Sequence, residues 1–122
     1  MTARRLLTGT QVQNGIIDCA RSLWYYAFHD PNSQRAEPGF PDLMIVGYGA
    51  LLALEAKSRG ERLRPPTFAP RSGRVMPGQR EWLDQFAHVS TVVAGVVRER
   101  PEDGELGYDD VLAYLASRRD GR

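Results

Sequence analysis

The chain has 122 residues, 42% of them hydrophobic, so it can bury one modest core but is too short for two independent domains. Cys19 is the only cysteine, which excludes an internal disulfide, and with His29 and His88 it is too scattered to form a zinc cage. The net charge of +1 excludes no class of partner, because nucleic-acid binding depends on local charge. We therefore expect a single domain over residues 1–122, with a cytoplasmic location and no membrane segment.

A helix and an aromatic strand are the first predicted elements. Apolar residues recur at helical spacing between 9 and 23, and Thr8 or Thr10 can cap the helix. Residues 24–29 are aromatic and strand-like, and we expect most of their aromatic side chains in the core. Residues 30–41 carry three prolines and a glycine, which predicts a connection.

Two buried strands and a long loop are predicted next. The apolar runs at 43–46 and 51–56 are separated by a glycine-rich turn, a pattern typical of an antiparallel hairpin. Residues 58–77 contain four prolines, two glycines and several arginines, which predicts an irregular loop. Loops of that length usually carry function or are disordered.

The rest of the chain predicts helix 78–88, strand 91–97 and helix 108–117. Trp82, on the first of these helices, is expected to pack inward. The resulting order, α-β-β-β-α-β-α, predicts an α/β domain with a central mixed sheet flanked by helices. Its core would span about residues 9–98, followed by an acidic segment and the last helix over 99–122.

A small group of charged residues lies at the edges of the predicted hairpin. Lys57 is the only lysine in the chain, and Glu55 stands two residues before it, so both side chains point to one face of a strand. Asp42 opens the neighbouring strand after a turn fixed by Gly39 and Pro41, which can bring its carboxylate beside Glu55. The alternative is an exposed ion pair on a strand, with an aspartate that caps a turn.

Two carboxylates on adjacent strands can also hold a metal. Asp42 and Glu55, with the backbone carbonyl of Ala56, suit a hydrated Mg²⁺ or Mn²⁺. A cation there would favour hydrolysis of a phosphodiester, and Lys57 would orient the attacking water and offset charge on the phosphorus.

Basic residues are concentrated after the second strand of the hairpin. Between residues 57 and 80 the only acid is Glu61, whereas from residue 98 onward seven acids face five bases. The segment is either a solvated polar loop or a phosphate-binding surface, and its position after Glu55 and Lys57 favours the second. The arginines expected to contact DNA are Arg59, Arg62, Arg64, Arg71, Arg74 and Arg80.

Three runs together resemble the VRR-NUC family of the PD-(D/E)XK nuclease superfamily, particularly the short stand-alone proteins of phages. They are GFPDLMIVG, LLALEAKSRGERL and PGQREWLDQF, and the resemblance covers roughly residues 9–98. It implies a restriction-endonuclease-like fold, divalent-metal-dependent cleavage of DNA and, for the stand-alone members, a homodimer that prefers branched DNA such as four-way junctions.

The resemblance also implies residue roles. Asp42 and Glu55 would be metal ligands and Lys57 the catalytic lysine, while Gln79 would form a hydrogen bond near the lysine, the water or the phosphate. His29 stands where family members often carry a histidine, so it is a candidate for substrate contact, although a lone histidine is more often structural.

One position departs from the family pattern. The glutamate usually found on the first helix is replaced here by Gly9. The missing oxygen could come from water or from Glu37, and neutral oxygens are poorer magnesium ligands than a carboxylate.

The sequence thus predicts a metal-dependent, structure-selective DNA endonuclease that resembles a Holliday-junction resolvase, from a phage or a bacterium. A nickase or a flap- or fork-cleaving nuclease would share every residue named. A catalytically silent DNA-binding module with the same fold is the alternative from another functional class.

Overall fold

A computed structural model describes residues 5–29, 37–69 and 72–121 of the protein. In these ranges the chain forms three helices and seven strands. The helices are α1 Gly9–Ser22, α2 Gln79–Ala87 and α3 Tyr108–Arg119. The strands are β1 Tyr26–His29, β2 Leu43–Gly47, β3 Ala50–Ala56, β4 Thr67–Ala69, β5 Arg74–Met76, β6 Val92–Arg98 and β7 Leu106–Gly107.

Helix α1 begins where the sequence supplies a capping box. The Thr8 hydroxyl accepts a hydrogen bond from the Gln11 amide at 3.1 Å, and the Gln11 side chain accepts one from the Thr8 amide at 2.9 Å. Thr8, rather than Thr10, is therefore the N-cap. The helix buries a stripe of apolar side chains at helical spacing, formed by Val12, Ile16, Ile17 and Ala20.

A mixed five-stranded sheet in the order β1-β2-β3-β6-β7 forms the centre of the domain. Strands β1, β2 and β3 are antiparallel neighbours, whereas β6 runs parallel to both β3 and β7. Helices α1 and α3 cover one face, where Leu43, Ile45, Leu52 and Leu54 are fully buried. The α/β class and the mixed sheet predicted from the sequence are confirmed.

Helix α2 lies on the opposite face. It forms the crossover between the parallel strands β3 and β6 and packs against both. The aromatic rings of Trp82 and Phe86 pack with Phe40, at centroid distances of 5.1 and 6.0 Å from it. The indole of Trp82 also donates a hydrogen bond to the Pro38 carbonyl at 2.9 Å. The predicted packing role of Trp82 is confirmed.

Segment 58–77 is not the wholly irregular loop that the sequence predicts. Strands β4 and β5 pair in antiparallel register, with Phe68 opposite Val75, and form a separate two-stranded sheet. We call these two strands the β4–β5 hairpin. The prediction fails because each strand is only three residues long and no described side chain of either belongs to the apolar core. Their sequences therefore show no hydrophobic alternation from which strands could be predicted. The sequence also does not predict β7, because two residues are too few to show any periodic pattern, so the predicted element order is incomplete.

The aromatic segment after α1 is also placed differently from the prediction. Only Tyr25 is buried, whereas Trp24, Tyr26 and Phe28 are 84%, 83% and 60% exposed. Trp24 precedes the strand and has a positive φ of 71°. Strand β1 is at the edge of the sheet, where α2 does not reach over the side chains that point away from the core.

No helix in the described part of the chain is both long and apolar enough to cross a membrane.

Candidate active site at the end of strand β3

Asp42 and Glu55 are brought together by the pairing of β2 with β3. Leu43 stands opposite Leu54, which places Asp42 beside Glu55 at the ends of the two strands. The Asp42 amide donates a hydrogen bond to Glu55 Oε2 at 2.9 Å. The Glu55 side chain is completely buried, whereas Asp42 is half-buried.

The Glu55 carboxyl, the inner member of this pair, has a strongly perturbed pKa. Burial and then the charge of Asp42 raise the pKa of the Glu55 carboxyl to about 8. The Asp42 amide and the charge of Lys57 act in the opposite direction without cancelling these effects. Perturbed carboxyls in a cleft are typical of functional sites, because they store an unfavourable interaction that a ligand can relieve.

Lys57 follows β3 and remains attached to the sheet. The Lys57 amide donates a hydrogen bond to the Val97 carbonyl at 3.0 Å, and Lys57 is only 5% exposed. The Nζ atom lies 3.9 Å from Glu55 Oε1 and 3.4 Å from Glu61 Oε2. The lone lysine therefore belongs to a buried ionic group and is not an exposed partner of Glu55. We call Asp42, Glu55 and Lys57 the carboxylate–lysine site.

A polar cavity of about 290 Å³ opens beside this site. The start of α1 approaches it closely: a Cβ atom added to Gly9 would lie 3.1 Å from the Ala56 carbonyl oxygen, 3.2 Å from Glu61 Oε1 and 3.3 Å from Lys57 Cα. The cavity is lined by Thr8, Gly9, Thr10, Gln13, Asp42, Ala56, Lys57, Ser58 and Glu61.

Glu61 is a member of the site that the sequence prediction missed. Its Oε1 accepts hydrogen bonds from the Ser58 amide at 3.0 Å and the Ser58 hydroxyl at 3.1 Å, and its Oε2 contacts Lys57. Burial acts to raise the pKa of the Glu61 carboxyl, but the Ser58 hydrogen bonds and the charge of Lys57 outweigh it and lower that pKa. The available signal was its place as the only acid among the basic residues from 57 to 80.

Arg98, at the end of β6, fixes the turn that carries Glu61. It is 6% exposed, and its Nη1 donates to the carbonyls of Ser58 and Glu61, both at 2.7 Å. Its Nε donates to Glu105 Oε1 at 2.8 Å. No local sequence pattern indicates this role, because the partners are close only after β6 has paired with β3.

Gln79 connects the carboxylate–lysine site to the arginine-rich segment. It is 1% exposed, and its side-chain amide nitrogen donates a short hydrogen bond to Glu55. Its Oε1 accepts from the Arg64 amide at 2.7 Å, and its own amide donates to the Arg64 carbonyl at 3.0 Å. Gln79 therefore approaches Lys57 through Glu55, which lies between them.

The described arginines of the basic segment are accessible to a partner. Arg80 Nη1 lies 4.0 Å from Asp84, and Arg80 borders a cleft of about 510 Å³ that also contains Glu102 and Glu105, so its charge is partly offset. Arg71 lies outside the described residues. The exposed ones are Arg59, Arg62, Arg64, Arg74 and Arg80.

Two further candidates are not brought into the cavity. His29 is half-buried at the end of β1 and stands opposite Leu43, at the same end of the sheet as Asp42, but it is not among the described residues that line the cavity. Glu37 is exposed and does not line it either.

The side chains that could hold a metal are few. Within residues 5–29, 37–69 and 72–121, no three or more acidic, histidine or cysteine side chains are grouped so as to hold a metal ion. Asp42, Glu55 and the Ala56 carbonyl offer hard oxygen donors, and the Glu61 carboxylate lies at the same end of α1, with its Oε1 3.2 Å from a Cβ atom added to Gly9.

Comparison with protein-family models finds no match for this chain, and comparison with curated proteins finds no similar sequence. Its function therefore has to be inferred from the geometry of this site.

Proposed function

We propose that the protein is a divalent-metal-dependent DNA endonuclease with a restriction-endonuclease-like fold, of the VRR-NUC kind that three runs of its sequence resemble. The observation that carries this proposal is the convergence of Asp42, Glu55, Lys57 and Gln79 around the end of β3. They come from three separate stretches of the sequence, at residues 42, 55–57 and 79, and the resemblance named all four. A mixed sheet flanked by helices supports the finer fold assignment.

The oxygen donors fit a small hard cation. Magnesium is usually held by one or two carboxylates, while water and substrate phosphates complete its coordination. Asp42, Glu55 and the Ala56 carbonyl would hold it here, and a cation would offset the crowding that raises the pKa of Glu55. When bound, a divalent ion supplies polarisation of the scissile phosphate and stabilisation of developing charge.

The chain's own residues perform the positioning. Lys57 lines the cavity, and its compact ammonium would orient a water molecule and offset charge on the phosphorus. Glu61 holds that ammonium from one side, and Arg98 holds the turn that carries Glu61. Gln79 fixes the orientation of the Glu55 carboxylate through its hydrogen bond.

Branched DNA is the proposed substrate class, and a second copy of the chain is the proposed partner. Each chain carries one such site, whereas resolving a four-way junction requires two symmetric cuts. A twofold-symmetric dimer would supply both.

Incubation of the purified protein with Mg²⁺ or Mn²⁺ and labelled linear, flap, fork and four-way substrates tests the proposal. We expect cleavage near branch points and loss of cleavage in Lys57→Ala. A preference for flaps or forks, or cleavage of one strand only, would identify the nickase or flap-nuclease alternative. An unchanged rate in Lys57→Ala would refute the proposed mechanism.

The silent DNA-binding module remains the second candidate because Gly9 stands where the family has a glutamate. Gly9→Glu would place a Cβ atom 3.1 Å from the Ala56 carbonyl oxygen, with shifts of a few tenths of an ångström in its neighbours, and would add a carboxylate at this end of the cavity. We expect it to tighten Mn²⁺ binding about tenfold in calorimetry, because carboxylates are the stronger ligands, and Gly9→Ala serves as the control. Cleavage by Gly9→Glu but not by the parent protein would establish the silent module.

A further inference from the structure

The β4–β5 hairpin carries an exposed apolar pair that the core does not use. Phe68 and Val75 stand directly opposite each other, so their side chains share one face of the two-stranded sheet. They are 64% and 63% exposed. An aromatic and a branched side chain left in water at matching positions mark a contact surface more readily than a folding requirement.

The surroundings of this pair select a nucleic acid as its partner. No aspartate or glutamate occurs between residues 62 and 80, and the described arginines on the approach and on β5 are exposed. Those arginines are Arg62, Arg64 and Arg74. Proteins that hold unpaired nucleic-acid strands combine a basic surface for the backbone with aromatic side chains on which bases stack.

The hairpin is attached directly to the carboxylate–lysine site. Gln79 forms two hydrogen bonds with the backbone of Arg64, just before β4, and a third with Glu55. Gly78 permits this close approach, because a Cβ atom there would lie 2.5 Å from the Arg64 carbonyl oxygen. One buried side chain therefore separates the base of the hairpin from the carboxylates.

We infer that the β4–β5 hairpin is a branch-recognition element. Phe68 stacks and Val75 packs against unpaired or partly unstacked bases at a DNA branch, while the neighbouring arginines hold the adjacent phosphates. This inference rests on the proposed nuclease function and specifies how that site would find its substrate. Where two adjacent bases are unstacked, an apolar side chain can insert between them and make contacts with the bases that an intact stack does not allow. A branch offers such a step at little cost, because its bases are already partly unstacked.

The chain length between the two regions limits where cleavage should occur. Phe68 follows Arg64 by four positions, a reach of at most about 14 Å for an extended chain. That distance corresponds to about four nucleotides of one DNA strand. Gln79 adds the length of one side chain between Arg64 and Glu55, so cuts should cluster within roughly one helical turn of the branch.

The test compares Phe68→Ala with Phe28→Ala, which removes the same side chain from a site of similar exposure on edge strand β1. Binding is measured in EDTA by fluorescence anisotropy on a four-way junction and on linear duplex of the same sequence. A 2-aminopurine placed at the branch reports unstacking, and light scattering reports the mass of each variant.

We expect the parent protein and Phe28→Ala to increase 2-aminopurine fluorescence on the junction. Phe68→Ala should lose that increase and bind the junction about tenfold more weakly, with duplex binding unchanged within about twofold. With Mg²⁺ it should still cut, at positions no longer concentrated near the branch.

Each other outcome is decisive. Equal effects of Phe68→Ala and Phe28→Ala, or an equal loss on junction and duplex, would overturn the branch-recognition role while leaving the nuclease intact. A change of mass confined to Phe68→Ala would identify the hairpin as an interface between copies of the chain. A parent protein that binds no DNA would overturn the proposed function together with the inference.

Discussion

Ionisable side chains of the carboxylate–lysine site and the arginines on and just before the β4–β5 hairpin occupy opposite environments. Glu55 and Lys57 are buried and held by several partners, and the pKa of Glu55 is far from its ordinary value. Arg62, Arg64 and Arg74 are exposed to water. Burial makes each group in the site depend on its neighbours' geometry, whereas an exposed arginine contributes mainly its charge.

Charge-conserving substitutions of Lys57 and Arg74 sharpen that contrast most strongly. Lys57→Arg should lower the single-turnover cleavage rate by about a hundredfold or more, because a planar guanidinium cannot replace the compact, buried ammonium between Glu55 and Glu61. Arg74→Lys should leave both cleavage and binding within about twofold. Equal rates for Lys57→Arg and the parent would show that the site needs only a positive charge.

Stability of the metal-free protein should depend on pH through Glu55. Its pKa is raised to about 8 in the folded state, so the folded protein retains a proton that the unfolded chain releases above its ordinary pKa of 4.5. The free energy of unfolding should therefore fall as pH rises from about 4.5 to 8, by an amount on the order of a few kcal/mol.

Urea denaturation in EDTA at pH 5.5 and 8.5 measures this effect. Glu55→Gln, which cannot ionise, should flatten the profile. A parent profile that rises across this interval would contradict the buried, crowded carboxylate. Arg74→Ala, which leaves Glu55 and its neighbours in place, should reproduce the parent profile.

Gln79→Ala should break the connection between the two regions. It removes hydrogen bonds to Glu55 and to the Arg64 amide, both in buried or partly buried surroundings, so we expect a loss of about 1–3 kcal/mol in unfolding free energy. Cleavage should also fall, because Glu55 loses its fixed orientation. Gln85→Ala, at an exposed position of the same helix, is the matched control.

Arg74→Ala should have the smallest effect. It should weaken DNA binding a few-fold and reduce the slope of log affinity against log salt by about one, as expected for one lost phosphate contact. Titrations between low and moderate salt measure that slope, and kcat should not change. An unchanged slope would remove Arg74 from the DNA-contacting surface.

How far the sequence predicts this protein depends on whether a feature is encoded locally. Helix α1, the β2–β3 pair and helix α2 follow from periodicity over many residues, and the proximity of Asp42 to Glu55 follows from strand pairing. The hairpin escapes prediction because its strands are three residues long and Phe68 and Val75 face water. The contacts of Arg98 with the Ser58–Glu61 turn escape it because they join segments that no local pattern relates.

The long reach of Arg98 has a consequence for folding kinetics. Its two contacts with the turn span 40 and 37 residues of chain. Strand β6 pairs with β3 through a crossover connection that contains α2. Closing loops of that length costs entropy before any contact forms, and parallel pairing of distant strands is correspondingly slow. The Ser58–Glu61 turn beside Lys57 should therefore become ordered late in folding. A nascent chain whose synthesis stops before residue 98 would lack the arginine that holds this turn beside the carboxylate–lysine site.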